Sequence, residues 1–166
     1  EKGKVFREVF VAQNNHRLLV ADYNQIELRC IAHLSSDPGL INAFNDGQDI
    51  HTATAAQVFG VNDADVTKAQ REKAKMVSYG LAYGMEAYGL AQRLGIENKE
   101  AAKILNDYFS AFPSVKEYMD KAVNQAKEKG FTETLFGRKR KIPELKSSNS
   151  RVRGAAERQA MNAGIQ

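Results

Sequence analysis

The sequence predicts an α+β chain that is mostly helical. Three observations predict it. Apolar residues recur at helical spacing from about residue 26 to 129, punctuated by residues that start and stop helices. Two short runs rich in Val, Phe and Leu precede that region and read as strands. A brief alternating run, Phe131–Phe136, follows it and passes into a basic tail.

Composition narrows the class. With 43% hydrophobic and 27% charged residues in 166, the chain has the make-up of a soluble globular protein able to bury a core. No stretch is long and apolar enough to cross a membrane, and no signal peptide opens the chain. The net charge of +4 permits a nucleic-acid partner without demanding one. Cys30 is the sole cysteine, so an intramolecular disulfide is excluded, a reducing compartment is expected, and the thiol reads as a small core residue. None of the three histidines pairs with another at metal-ligand spacing, which argues against a zinc site. The chain opens on Glu1 and stops at Gln166 inside a helical pattern, so it reads as a piece of a longer protein.

In order, Val5–Ala12 and Arg17–Tyr23 are expected as strands, with Gln13–His16 as the turn between them. The run Leu18–Ala21 is apolar throughout, as in a strand covered on both faces. Asp22 ends it. A carboxylate there either stands rigidly at a sheet rim, within reach of a cation, or caps the next helix. Ile26–Leu34 reads as a mostly buried helix, with Glu27 as a favourable first-turn acid or a side chain aimed into a site.

Ser36–Gly39 is a turn. Helices are then expected at Leu40–Phe44, from Asp49 to Phe59 with a stop at Gly60, and from an N-cap at Thr67 through Tyr83. Further helices follow at Ala87–Leu94 and Lys99–Phe112, and from Pro113 to Gly130, where proline at the first turn forfeits no hydrogen bond. Gly137 turns the strand Phe131–Phe136 into Arg138–Lys141, and a last helix carries Arg151, Arg153 and Arg158. Eight cations lie between 138 and 158 against two acids, Glu144 and Glu157. Such a run is either solvated surface or a track for a phosphate backbone.

The chemistry concentrates in Arg71–Gly84. Arg71, Lys75, Tyr79 and Tyr83 recur every fourth residue. On a helix each step of four drifts only ~40°, so the four share one broad stripe. Two cations precede two aromatic rings. The stripe suits gripping an anionic chain and stacking on flat rings; equally, it describes a solvated helix face with two half-buried tyrosines.

Together these residues resemble the family A polymerases, of which bacterial DNA polymerase I is the familiar member. Asp22-Tyr-Asn-Gln-Ile-Glu-Leu-Arg29 is similar to the family's motif A, Asp-Tyr-Ser-Gln-Ile-Glu-Leu-Arg, with Asn24 as the one departure. Arg71–Gly84 resembles motif B, Arg-x3-Lys-x3-Phe/Tyr-Gly-x2-Tyr-Gly, at every defining position. The likeness continues through Asp49–His51, Glu133–Arg138, Ser147–Asn149 and Ala156–Asn162, and so covers essentially the whole chain.

The resemblance implies part of the palm (1–35), the helical fingers (36–150) and a helix returning to the palm (151–166) of a right-hand polymerase fold. It implies a DNA-directed DNA polymerase acting in replication and repair by nucleotidyl transfer on two Mg²⁺ ions. Asp22 and the backbone carbonyl of Tyr23 would be metal ligands, and the second metal-binding aspartate, in motif C, would lie beyond Gln166. Arg71 and Lys75 would hold the triphosphate and act in catalysis. Tyr23, Gln25, Glu27, His51, Tyr79 and Tyr83 would complete the dNTP site, with Glu27 filling the space of a ribose 2′-OH. Tyr79, where many relatives have Phe, implies ready acceptance of dideoxynucleotides. Arg158, Asn162 and Gln166 would contact primer-template DNA. The expected partners are DNA and dNTP, with no membrane, in a monomer of the bacterial cytoplasm associated with the nucleoid. The 166 residues alone are expected to be inactive. Two other readings remain open: a non-catalytic nucleic-acid-binding helical module, and a relative of the single-subunit RNA polymerases.

Overall fold

The computed structural model describes residues 2–166, with side chains from Val5 onward. Among the described residues are nine α-helices: α1 Lys2–Arg7, α2 Ile26–Ser35, α3 Pro38–Asn45, α4 Ile50–Phe59, α5 Lys68–Ala82, α6 Ala87–Leu94, α7 Asn98–Ala111, α8 Pro113–Lys129 and α9 Ser150–Ala163. One antiparallel hairpin, β1 Phe131–Glu133 and β2 Lys139–Lys141, pairs Thr132 with Arg140. The chain is thus α+β and mostly helical, as expected.

Local chemistry sets the helix ends. Asp37 caps α3 by accepting from the N–H groups of Gly39 and Leu40 at 3.0 and 3.2 Å, and Asp49 caps α4 by accepting from Thr52 N at 2.8 Å. Thr67 and Gln70 form a reciprocal capping box at the start of α5. α4, α6 and α8 each stop at a glycine in the left-handed region, Gly60, Gly95 and Gly130.

α4 packs along α5, α6 along α7, and α2 against α3, α5 and α8. One core joins them, with Ile31, Ile50, Val77, Leu90, Tyr108, Phe112 and Val115 almost fully buried. Tyr108 sits edge-on to Phe109 and tilted against Phe112, at 5.9 and 4.9 Å between ring centroids. A smaller cluster of Val123, Ala126, Ile142, Leu145, Ala156 and Ala160 fastens α9 to α8 beside the hairpin. Cys30 is half-buried against the main core rather than enclosed in it.

The N-terminal expectation is overturned. Neither Val5–Ala12 nor Arg17–Tyr23 is a strand: residues 2–7 form α1, and 8–25 carry no regular secondary structure. The expected turn does form, closed by His16 N donating to Gln13 O at 3.0 Å. Leu19 and Val20, expected to be covered on both faces, are 93% and 90% exposed. A strand is a relation to a partner. Two short strands with no third strand or helix over their apolar face are marginal in water, and none covers them among the described residues.

Candidate active site

The helix α5 organises the site. Its capping box fixes the start, and a Schellman motif fixes the end: Gly84 N donates to Leu81 O at 2.9 Å and Met85 N to Gly80 O at 2.8 Å. That motif needs a left-handed residue, supplied by Gly84 at φ +67°. Between these ends Arg71, Lys75 and Tyr79 lie one turn apart, and Tyr83 is the C-cap residue. Tyr83 N still donates to Tyr79 O at 3.2 Å, so the stripe continues to its last ring.

α4 supplies the facing wall. His51 is 4% exposed, with its ring 5.6 Å from that of Tyr79 and inclined by 50°. Burial lowers the His51 pKa; Asp49 opposes that shift, while Arg71 and Lys75 reinforce it. A depressed pKa keeps the imidazole neutral at neutral pH. Its Nδ1 is buried without a hydrogen-bond partner. Two residues earlier, Asp49 receives Arg71 at both carboxylate oxygens: Nη2 at 2.7 Å and Nε at 3.2 Å. The Arg71 bond holds the Asp49 carboxyl well below the usual carboxylate range. Lys75 is exposed and makes no ion pair among the described residues.

The motif A residues approach the same stripe. Burial raises the Tyr79 pKa, and the charge of Glu27, then of Tyr83 and Asp22, adds to it. The two carboxylates therefore lie close enough to the Tyr79 hydroxyl for their charge to be felt there. Glu27 and Gln25 are half-buried, whereas Asp22 and Tyr23 are exposed. The choice left open for Asp22 is partly resolved: the N-cap of α2 is Gln25, at φ +54°, so Asp22 does not cap it. Nor does it end a strand; it stands in the irregular segment before α2.

At the far end of α5 the chain meets α9. Arg158 donates to Glu86 Oε1 at 2.9 Å, and Gly84 backs directly onto Arg158 and Asn162. Asn162 Oδ1 is buried without a partner. Gln166 N donates to Asn162 O at 2.9 Å, and the residue is exposed beside a groove that Arg29, Phe136 and Arg138 also line. Arg138–Lys141 are all exposed on the hairpin. Elsewhere the tail is not uniformly solvated: Arg153 donates to Ser147 O at 2.9 Å, and Glu157 pairs with Lys127 at 2.7 Å.

The structure thus gathers Asp22, Glu27, His51, Arg71, Lys75, Tyr79 and Tyr83 around one helix face, with Arg158 and Asn162 beyond its C-terminal end. Sequence reasoning did not single out Asp49 or Glu86, the acids that hold Arg71 and Arg158. Asp49 carried two signals, as a helix-starting aspartate and as the first residue of the Asp49–His51 likeness, but neither pairs it with Arg71. Glu86, 72 residues from Arg158, carried none.

A metal would find one exposed carboxylate here. Among the described residues no group of three or more His, Cys, Asp and Glu side chains is placed to hold an ion. Asp22 with a backbone carbonyl fits Mg²⁺, which commonly binds through one or two carboxylates plus substrate phosphates and water. It does not fit an all-protein cage.

The model for DNA polymerase family A matches residues 1–166. DNA polymerase I of Caldicellulosiruptor bescii is 52% identical over 166 residues, covering all of this chain and 20% of that protein. DNA polymerase I of Pseudomonas aeruginosa is 50% identical over 165 residues, covering 99% of this chain and 18% of that protein. The chain therefore spans about a fifth of the length of these relatives. A solved structure described as the POL domain of Pol1 from M. smegmatis in complex with DNA primer-template and dNTP superposes with a TM-score of 0.81 at 51% identity, over 87% of this chain and 25% of that one. With the family model matching residues 1–166 and relatives about 50% identical along the whole chain, the chain belongs to the family A DNA polymerases.

Proposed function

We propose that this chain forms the nucleotide-binding wall and part of the catalytic floor of a DNA-directed DNA polymerase. The observation that carries the reading is the single face shared by Arg71, Lys75, Tyr79 and His51, with Glu27 and Asp22 beside it. Residues 1–35 are assigned to the palm, 36–150 to the fingers and 151–166 to the return to the palm. The substrates are dNTPs and primer-template DNA, and the parent is a monomer of the bacterial cytoplasm, associated with the nucleoid. No described helix is long and apolar enough to cross a membrane.

The chemistry follows from charge and shape. Arg71 presents a planar donor fork and Lys75 a mobile point charge, and both attract a triphosphate and offset charge developing on it. His51, neutral and with an orphaned ring nitrogen, adds a hydrogen bond rather than an ion pair. Tyr79 packs on the incoming sugar and base, and Tyr83, 55% exposed at the helix end, stacks at the templating position. Asp22, with the Tyr23 carbonyl, would hold Mg²⁺, which when bound stabilises the attacking and leaving oxygens of the displacement, as in polymerases generally. Gln25 and Glu27 border the sugar, with Glu27 occupying the volume of a 2′-OH. Arg158, Asn162 and Gln166 lie toward the primer-template.

The test is a chimera in which residues 1–166 replace the matching segment of a complete family A polymerase. It should extend a primer with dNTPs and reject ribonucleotides, and Glu27→Ala should admit them. A chimera that prefers ribonucleotides would favour the RNA polymerase reading, and one that binds DNA without extending it the non-catalytic module.

A further inference from the structure

The fork between Asp49 and Arg71 joins two helices whose residues serve one pocket. Asp49 Oδ1 accepts from Thr52 N at 2.8 Å within its own helix start and from Arg71 Nε at 3.2 Å on α5. Its Oδ2 accepts from Arg71 Nη2 at 2.7 Å. The carboxylate is therefore tied on both sides and has little freedom to swing. Nε and one Nη2 hydrogen of Arg71 face Asp49. The second Nη2 hydrogen and both Nη1 hydrogens remain for another acceptor, with Glu72 Oε1 only loosely placed at 3.6 Å from Nη1.

Two turns further along α5, Tyr79 meets His51, two residues beyond Asp49 on α4. Asp49–Arg71 and His51–Tyr79 are thus two rungs between the same helices. The first rung is bidentate, and bidentate pairing fixes the plane of a guanidinium as well as its position. A solvated arginine would otherwise sample many rotamers, each of which a bound anion would have to order.

We propose that Asp49 is a positioning residue for nucleotide binding: it presets the Arg71 guanidinium so that its outer edge faces the triphosphate, and it locks α4, with His51, to α5 in the matching register. The inference rests on the reading of Arg71 as a triphosphate ligand. A carboxylate near an anion also repels it, so two effects of opposite sign compete at Asp49. The double tether decides for positioning, since a mere competitor would not need to be fixed by its own helix.

The test uses the chimeric polymerase and Asp49→Asn. Asparagine is as good an N-cap as aspartate, so α4 keeps its start while the charged fork is lost. The expected result is a rise in dNTP KM of about tenfold with the KM for primer-template unchanged, alongside a lowered unfolding midpoint because the charged fork between α4 and α5 is lost. In an Arg71→Ala background the same substitution should have no further effect, because the group it positions is gone. An unchanged dNTP KM would reduce Asp49 to a helix cap, and a lowered one would make it a competitor; either overturns the proposal. If Arg71→Ala alone leaves the dNTP KM unchanged, the assignment of Arg71 falls, and this inference with it. If Arg71→Ala raises the KM and Asp49→Asn does not, only the inference about Asp49 fails.

Discussion

Gly84 and Arg158 touch back to side: a β-carbon on Gly84 would stand 2.9 Å from Arg158 Cβ and 3.2 Å from Asn162 Nδ2. The last glycine of motif B is therefore required twice, for the left-handed turn that ends α5 and for the close seat of α9. Gly95 supplies the control, since it has φ +65° but nothing within 4 Å. Gly95→Ala should cost about 1 kcal/mol from backbone strain alone. Gly84→Ala should cost about 3 kcal/mol, because α9 must also shift. Denaturant unfolding of the chimera and its two variants measures the difference, and equal losses would show that the contact with Arg158 carries nothing.

His51 makes stability depend on pH. Its pKa lies below the ordinary value of 6.5, chiefly through burial. Between the two values the unfolded chain binds more protons than the folded one, so stability rises with pH there. The His51 contribution is fully present above about pH 6.5 and is lost as pH falls through the folded value, by at most about 1.4 kcal/mol per pH unit. Asp49, also depressed, contributes in a separate window, losing its share only as pH falls below about 3.8 toward its own folded value. Comparing stability against pH for the chimera and for His51→Gln should show the slope just below pH 6.5 only with the histidine. The same slope in both would place the titration elsewhere.

Tyr79 bears on substrate choice. Its ring is held by His51 and half-buried, which leaves the hydroxyl as the feature separating it from phenylalanine. A phenol OH can replace a contact that the 3′-OH of an ordinary nucleotide would supply. The chimera should therefore accept dideoxynucleotides readily, and Tyr79→Phe should lower the ddNTP/dNTP incorporation ratio by about tenfold or more, the scale set by one buried hydrogen bond. An unchanged ratio would remove the hydroxyl from the account.

Much of the fold could be read from the sequence because helix ends carry local chemistry. Asp37 before Pro38, Thr67 with Gln70, and Gly60, Gly95 and Gly130 each mark a boundary within a few residues of where it falls. The strands expected at 5–12 and 17–23 do not form, because Val, Leu and Phe state a preference for strand but cannot name a partner. The stripe on α5 was legible, since a repeat of four is a property of one helix. The acids that hold its cations were not, because Asp49 and Arg71 are 22 residues apart and their meeting belongs to the packing of α4 on α5. For Asp22 the sequence offered a strand end or a helix cap, and the structure provides neither.

The most direct test of the central claim is Asp22→Asn in the chimeric polymerase, with primer extension and primer-template binding measured on the same preparation. If Asp22 is the carboxylate on which nucleotidyl transfer depends, extension should fall by about a thousandfold or more, the scale of an interaction made with the reacting centre, while DNA affinity stays within about twofold, because no phosphate contact is lost. Extension at the unsubstituted rate, or a loss of DNA binding in step with the loss of extension, would contradict it.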